Sequence, residues 1–121
     1  MNVYFNIDNG TGPIYGWYLQ NSEASRAKFD SWLAPWIEYG ARRNTIEPIG
    51  STDHLTFIDL GIPGFNPIQD YTNYDIRMHH TNMDTVDRVQ LKDIRQAAMV
   101  FAWFAYKAAS DPQRMPLPST K

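Results

Sequence analysis

Short runs of apolar and β-branched residues along the chain predict the strands of a sheet. Residues 3–7 and 14–19 are rich in side chains that favour strands, and a loop dense in Asn and Gly separates them. Residues 45–49 and 64–68 are two shorter candidates. Pro67 would restrict the last of these strands to an edge of the sheet or shorten it, because proline has no N–H to donate.

Apolar residues at steps of three and four predict a first helix over residues 22–39. Ser22 is the expected N-cap, and Gly40 is the expected stop. Pro35 lies inside this pattern. Because proline removes a helical hydrogen bond, we expect it to kink the helix or to divide it in two.

Two further helices are predicted downstream. The first follows the turn at residues 50–53, where Ser51 or Thr52 can cap it, and it ends at Gly61. The second begins between residues 86 and 91 and ends near residue 110. Its apolar residues recur at helical spacing: Leu91, Ile94, Ala98, Phe101 and Ala105.

The order of these elements predicts an α/β fold, with helices packed on the faces of a mostly parallel, mixed sheet. Residues 1–110 form one predicted domain, and residues 111–121, with three prolines, form an irregular tail. Residues 69–86 form a long polar loop. Loops of this length in compact domains are commonly functional.

Composition excludes several classes of function. The chain has 121 residues with a formal charge of −2, so it lacks the basic surface of a nucleic-acid-binding protein. It has no cysteine, which excludes disulfide scaffolds, thiolate zinc sites and cysteine nucleophiles. The longest apolar run, residues 97–106, is too short to cross a bilayer, and we expect no membrane partner.

Polar side chains that could carry chemistry follow the first and the last predicted strand. Asp8 and Asn9 follow the first strand. The long loop after the last strand holds a second polar cluster, Asp70, Asp75, His79, His80 and Asp84. Ligands in α/β sheets bind outside the carboxyl ends of strands. Neighbouring side chains of an extended segment point apart, so at most one of the two histidines is expected to serve a given site.

Each candidate also has a simpler interpretation. A zinc-bound His commonly donates its second N–H to a carboxylate, which Asp84 could supply to His80, but His80 could equally be a solvated loop residue. Asp8 could be a zinc ligand or a turn-forming residue. The run from Ser51 to His54 is no hydrolase triad, because four successive residues cannot face one another; His54 could still face the site from below.

Four segments in order resemble the C-terminal half of the catalytic domain of M28-family zinc peptidases, in particular the branch that contains carboxypeptidase Q. The segments are Tyr4-Phe5-Asn6-Ile7-Asp8-Asn9-Gly10-Thr11-Gly12, Ser51-Thr52-Asp53-His54-Leu55, Gly61-Ile62-Pro63-Gly64-Phe65 and His79-His80-Thr81-Asn82-Met83-Asp84-Thr85. The resemblance covers nearly the whole chain and implies a partial three-layer α/β/α zinc-exopeptidase fold.

The resemblance also implies a function and a set of site residues. The family uses two zinc ions to hydrolyse terminal peptide bonds, so a peptide is the implied substrate. Asp8 matches one Asp ligand and His80 matches the final His ligand, each on a different zinc. Asp53 and His54 match a stretch that lines the site, and Asp84 is expected to support His80. Family analogy suggests secretion or the periplasm.

The chain departs from the family pattern in one large respect. The first His ligand, the bridging Asp and the Glu-Glu pair that contains the general base all belong to an upstream segment, and the chain has no Glu-Glu pair. We therefore expect an inactive half-domain that needs the N-terminal half and that tends to self-associate. Two alternatives stay open: a non-catalytic binding or assembly module of the same fold, and a single-zinc acyltransferase of the glutaminyl-cyclase type.

Overall fold

The computed structural model describes residues 1–71 and 74–117 of the chain. Its strands are β1 (Tyr4–Phe5), β2 (Ile14–Tyr18) and β3 (Gly64–Gln69), and its α-helices are α1 (Glu23–Leu33), α2 (His54–Asp59) and α3 (Leu91–Ser110). Shorter helical turns cover Ala34–Tyr39, Tyr74–Met78 and Val86–Arg88.

The strands form a mixed sheet in the order β1-β3-β2. β1 is parallel to β3 and shorter than predicted, whereas β2 is antiparallel to β3. Residues 45–49 form no strand; only Thr45 makes a single parallel bridge to Tyr18. The backbone of this segment still pairs with the outer edge of β2, since Leu19 N donates to Thr45 O over 2.9 Å.

Pro67 lies in the central strand, so the prediction that it confines its strand to an edge is wrong. It is opposite Trp17, whose N–H donates to Asn44 Oδ1 and whose carbonyl accepts from Thr45 N, both on the side away from β3. The pairing of Pro67 with Trp17 therefore requires no backbone N–H donor from the proline. On the other side, β1 pairs only as far as Phe65, so no donor is required there either.

The sheet separates two layers of helix. Side chains alternate along a strand, so Tyr4 stacks on Phe57 of α2 at 3.8 Å while Phe5 faces the opposite way. Phe5, Phe65 and Trp17 pack with Phe29 of α1 and Phe104 of α3 in an aromatic core. The predicted α/β fold is thus confirmed, with α2 on one face of the sheet and α1 and α3 on the other.

Proline and glycine divide the first predicted helix as expected. α1 ends at Leu33, and a tighter helical turn with Pro35 in its first positions continues to Tyr39. Gly40 ends it with φ +93°, in the left-handed region that glycine adopts without a Cβ penalty. Ser22 is at the N-cap, but its Oγ pairs with Ser25 Oγ at 2.8 Å rather than with the helix backbone.

The last helix begins and ends as predicted, but its buried face differs from the expected one. Ala97, Val100, Phe104 and Ala108 are buried against the sheet. Two residues of the predicted apolar set, Leu91 and Ile94, are 61% and 50% exposed. Because apolar residues surround most of this helix, their spacing alone could not tell which side meets the sheet.

The polar loop and the C-terminal segment contain more contacts than the sequence indicates. The loop holds the helical turn Tyr74–Met78, and the described part of the tail returns to the core, where Met115 is 5% exposed. The division at residue 110 stays a prediction. Within the described residues, no helix is both long and apolar enough to cross a membrane.

Candidate active-site cleft

An open cleft of about 430 Å³ lies at the carboxyl ends of β1 and β3. These two strands are parallel neighbours, so the segments that follow them meet at one edge of the sheet. The lining residues come from three distant parts of the chain: Asp8 and Asn9; residues 49–52; and Tyr71, Tyr74, Asp75, His79 and His80.

Two glycines bring the segment after β1 against the end of β3. A Cβ at Gly10 would come within 2.6 Å of Gln69 Cβ, and one at Gly12 within 2.4 Å of Asp70 Cβ. Side chains at these positions would push the loop away from the strand. The glycines thereby keep Asp8 and Asn9 beside the residues that follow β3.

A chain of hydrogen bonds forms the floor of the cleft. Asn9 Nδ2 donates to the Tyr71 hydroxyl over 3.1 Å, and the Tyr71 and Tyr18 hydroxyls are 2.9 Å apart. Burial raises the pKa of Tyr71, so its hydroxyl stays protonated. Asn9 Oδ1 is buried and has no hydrogen-bond partner among the described residues. Leaving a buried acceptor unpaired costs free energy. A hydrogen-bond donor of a bound ligand would therefore be stabilised at this oxygen.

The two histidines lie together rather than apart, so the expectation that their side chains point apart is wrong, while the prediction that only one of them serves the site stays a prediction. His80 has φ +57°, a left-handed backbone conformation. Its side chain therefore does not point away from that of His79, as it would in an extended segment. The ring centroids of His79 and His80 are consequently 3.9 Å apart, and both side chains line the cleft.

The wall formed by residues 74–80 combines an aromatic ring with carboxylates. His79 stacks on Tyr74, and His79 Nδ1 is 3.8 Å from Asp75 Oδ1. Burial, and then the negative charges of Asp84, Asp8 and Asp75, raise the pKa of Tyr74. Three carboxylates therefore influence this wall electrostatically, a negative environment suited to cations.

His54 lies behind the wall of residues 49–52 and does not line the cleft. It is fully buried, with Gln20 Nε2 at its Nε2 and Thr52 Oγ1 at its Nδ1. Gln20 also bonds both backbone groups of Ile49, so this pair of side chains holds the wall in place. Burial lowers the pKa of His54, which favours its neutral form.

Asp53 and Asp84 lie outside the cleft lining in the described part of the chain. Asp53 is exposed at the start of α2. Asp84 is exposed, its N–H donates to Thr81 O, and no described hydrogen bond joins it to His80. The roles predicted for these two residues stay predictions.

The cleft brings the predicted metal-ligating residues, Asp8 and His80, to one site. Among the described residues, however, no three His, Asp or Glu side chains converge as a metal site requires. The prediction that these two residues bind zinc therefore stays a prediction.

Sequence reasoning named Asp75 in the polar cluster of the long loop, but it did not single out two tyrosines of the cleft. Tyr71 and Tyr74 line the cleft, although each looks like an ordinary loop residue in the sequence. The position of Tyr71 directly after β3 is the one signal that could have identified it, because segments that follow parallel strands meet at this edge.

Comparison with known proteins identifies the family. The model for "Peptidase family M28" matches residues 1–105 of the chain. No curated protein and no solved structure gave a significant match. With most of the chain matched, and with the cleft at the sheet edge where α/β proteins bind their ligands, the chain belongs to peptidase family M28, a family of hydrolases that is generally zinc-dependent.

Proposed function

We propose that this chain supplies part of the active site of an exopeptidase that hydrolyses terminal peptide bonds, in the branch of the family that contains carboxypeptidase Q. One observation carries the proposal: Asp8 and His80, which are 72 positions apart in sequence, line the same cleft. Ligands of α/β sheets bind outside the carboxyl ends of strands, which is where these two side chains lie.

The chemistry of these donors suits zinc, but their number does not complete a site. Carboxylate oxygen and imidazole nitrogen are ordinary zinc ligands, and catalytic zinc sites use three protein ligands each. Asp8 and His80 would each hold a different zinc ion, with the other ligands supplied by an upstream segment. The bound metal would polarise the peptide carbonyl and activate water.

The other cleft residues bind and orient in this proposal. Tyr71 keeps the Asn9 amide fixed beside Asp8, so the free Asn9 oxygen can accept a hydrogen bond. The wall held by His54 and Gln20 limits the cleft on one side. No glutamate lines the described cleft, which agrees with a general base supplied from elsewhere.

An activity assay tests the proposal. The purified chain, with zinc added, is compared with the same chain joined to the polypeptide encoded directly upstream, using aminoacyl anilides and dipeptides as substrates. We expect no turnover by the chain alone and turnover by the joined protein. Asp8→Ala and His80→Ala should each abolish that turnover, whereas Asp59→Ala, an exposed acid of α2, should leave it unchanged.

Two results would contradict the proposal. Peptide hydrolysis by the isolated chain would show that it needs no upstream ligands. A joined protein that contains the missing His, Asp and Glu-Glu residues but hydrolyses no peptide would favour a non-catalytic module, and cyclisation of an N-terminal glutamine would favour the acyltransferase.

A further inference from the structure

The loop after β1 contains the single Asn-Gly step of the chain, Asn9–Gly10. An asparagine that precedes glycine is prone to deamidation, because glycine has no Cβ that keeps its backbone nitrogen away from the preceding side chain. The Gly10 nitrogen attacks Asn9 Cγ, ammonia leaves, and a cyclic succinimide forms. Water then opens the ring, and the products are aspartate and isoaspartate. The reaction therefore needs no reactant other than water.

The cleft holds both reacting groups in place. Asn9 Nδ2 donates to the Tyr71 hydroxyl over 3.1 Å, which fixes the orientation of the side-chain amide. The Tyr71 hydroxyl is itself 2.9 Å from the Tyr18 hydroxyl. Gly10 lies so close to β3 that an added Cβ would come within 2.6 Å of Gln69 Cβ. Bringing the Gly10 nitrogen to Asn9 Cγ therefore requires that some of these contacts break.

The surroundings of the Asn9 carbonyl oxygen also oppose the reaction. Attack at Cγ moves negative charge onto Oδ1, and sites that promote such reactions place hydrogen-bond donors at this oxygen. Asn9 Oδ1 is buried, and it accepts no hydrogen bond from any described residue. The folded cleft thus offers the developing charge no donor, whereas water supplies donors to this oxygen in an unfolded chain.

We propose that Asn9 is a deamidation site that the Tyr71 hydroxyl keeps unreacted in the folded chain. Deamidation replaces an amide, which both donates and accepts, by a carboxylate that only accepts. The hydrogen bond from Nδ2 to Tyr71 is then lost, and the new carboxylate directly follows Asp8 in the chain. Modification therefore adds a negative charge to the cleft and breaks the chain of hydrogen bonds along its floor.

Mass spectrometry of the peptide that contains residue 9 measures the rate, since deamidation adds about 1 Da to the chain. We compare the folded chain at pH 7.5 with the same chain unfolded in guanidinium chloride. We expect Asn9 to react at least about tenfold more slowly in the folded chain, because the reacting atoms are held apart. An Asn9 that stays intact in the unfolded chain, or that reacts equally fast in both states, would overturn the proposal.

Two tyrosine variants test the part that the hydroxyl plays. Tyr71→Phe removes the acceptor of the Asn9 amide and should accelerate deamidation of the folded chain about fivefold, the effect of one ordinary hydrogen bond. The matched control Tyr15→Phe removes a hydroxyl that bonds to Asp70 instead, and it should leave the rate unchanged. Circular dichroism verifies that each variant is folded at the temperature used. Equal rates in folded Tyr71→Phe and in the wild-type chain would show that the hydroxyl does not protect Asn9. If Tyr71→Phe does not fold, the comparison of the folded and unfolded wild-type chain decides.

Discussion

At the scale of single residues, His54 illustrates how a buried polar side chain shapes a site that it does not touch. Its two ring nitrogens are held by Gln20 and Thr52, and Gln20 in turn holds Ile49. The imidazole therefore ties α2 to the wall of the cleft. Because the ring is fully buried, its protonation should loosen this connection.

The lowered pKa of His54 predicts a pH-dependent stability. The unfolded chain takes up a proton near the ordinary pKa of about 6.5, whereas the folded chain resists it, so stability is full above that pH and falls as the pH drops below it. Thermal unfolding at pH 7.5 and 5.5 measures the effect. The His54→Gln variant should be less stable at pH 7.5 but should lose less on acidification. An equal loss in both proteins would rule out His54 as the cause.

Gly16 predicts a severe effect from one added methyl group. A Cβ there would lie 1.8 Å from the carbonyl oxygen of Arg43, and a backbone atom cannot easily move aside. We expect Gly16→Ala to lower the free energy of unfolding by about 3 kcal/mol, the upper part of the usual range for overpacking. Gly50→Ala is the matched control, because no described atom beyond its chain neighbours lies within 4 Å of its added Cβ; it should change stability by less than about 0.5 kcal/mol. Urea titration of both variants measures their free energies of unfolding. Equal losses of stability in the two variants would contradict the prediction.

At the scale of elements, local signals in the sequence predicted what local chemistry controls. Pro35 and Gly40 correctly placed the end of α1 and of the turn that follows it, since their backbone constraints act wherever they occur. The prediction that Pro67 confines its strand to an edge was wrong, because the lengths and directions of the neighbouring strands decide whether its missing N–H matters. The buried face of α3 was also beyond prediction, because apolar residues lie on both sides of that helix.

The observed burial of α3 predicts which of its residues stabilise the fold. Phe104 is fully buried among aromatic rings of the sheet and of α1. Phe104→Ala should lower the free energy of unfolding by about 3–5 kcal/mol, because it leaves a cavity. Leu60→Ala removes a side chain that is 71% exposed and should cost less than about 0.5 kcal/mol. Chemical denaturation of the two variants measures the difference in their free energies of unfolding. Similar losses would mean that Phe104 does not lie on the buried face of α3.

At the scale of the whole molecule, the sequence could identify the two ends of the cleft but not which tyrosines of the long loop form its walls. Asp8 follows β1 and His80 follows the helical turn after β3, and their motifs made both recognisable. Tyr71 and Tyr74 join them only through the parallel pairing of β1 with β3 and the turn at Tyr74–Met78. Long-range pairing of this kind leaves no local pattern. Under the proposed function, this cleft is a partial site that residues of an upstream segment complete.

A zinc titration of the chain with ¹⁵N-labelled histidines, followed by NMR, tests the account most directly. The chain has three histidines, so each imidazole can be followed separately. A complete zinc site binds with about 10–16 kcal/mol; the partial site should bind far more weakly, with a dissociation constant above about 1 µM. We expect zinc to shift the His80 ring signals, Asp8→Ala to leave that shift in place because it removes the ligand of the other ion, and Asp59→Ala to change nothing. Tight binding of one zinc that is lost in both Asp8→Ala and His80→Ala, or zinc that leaves His80 unaffected, would contradict the assignment of these residues to two different ions.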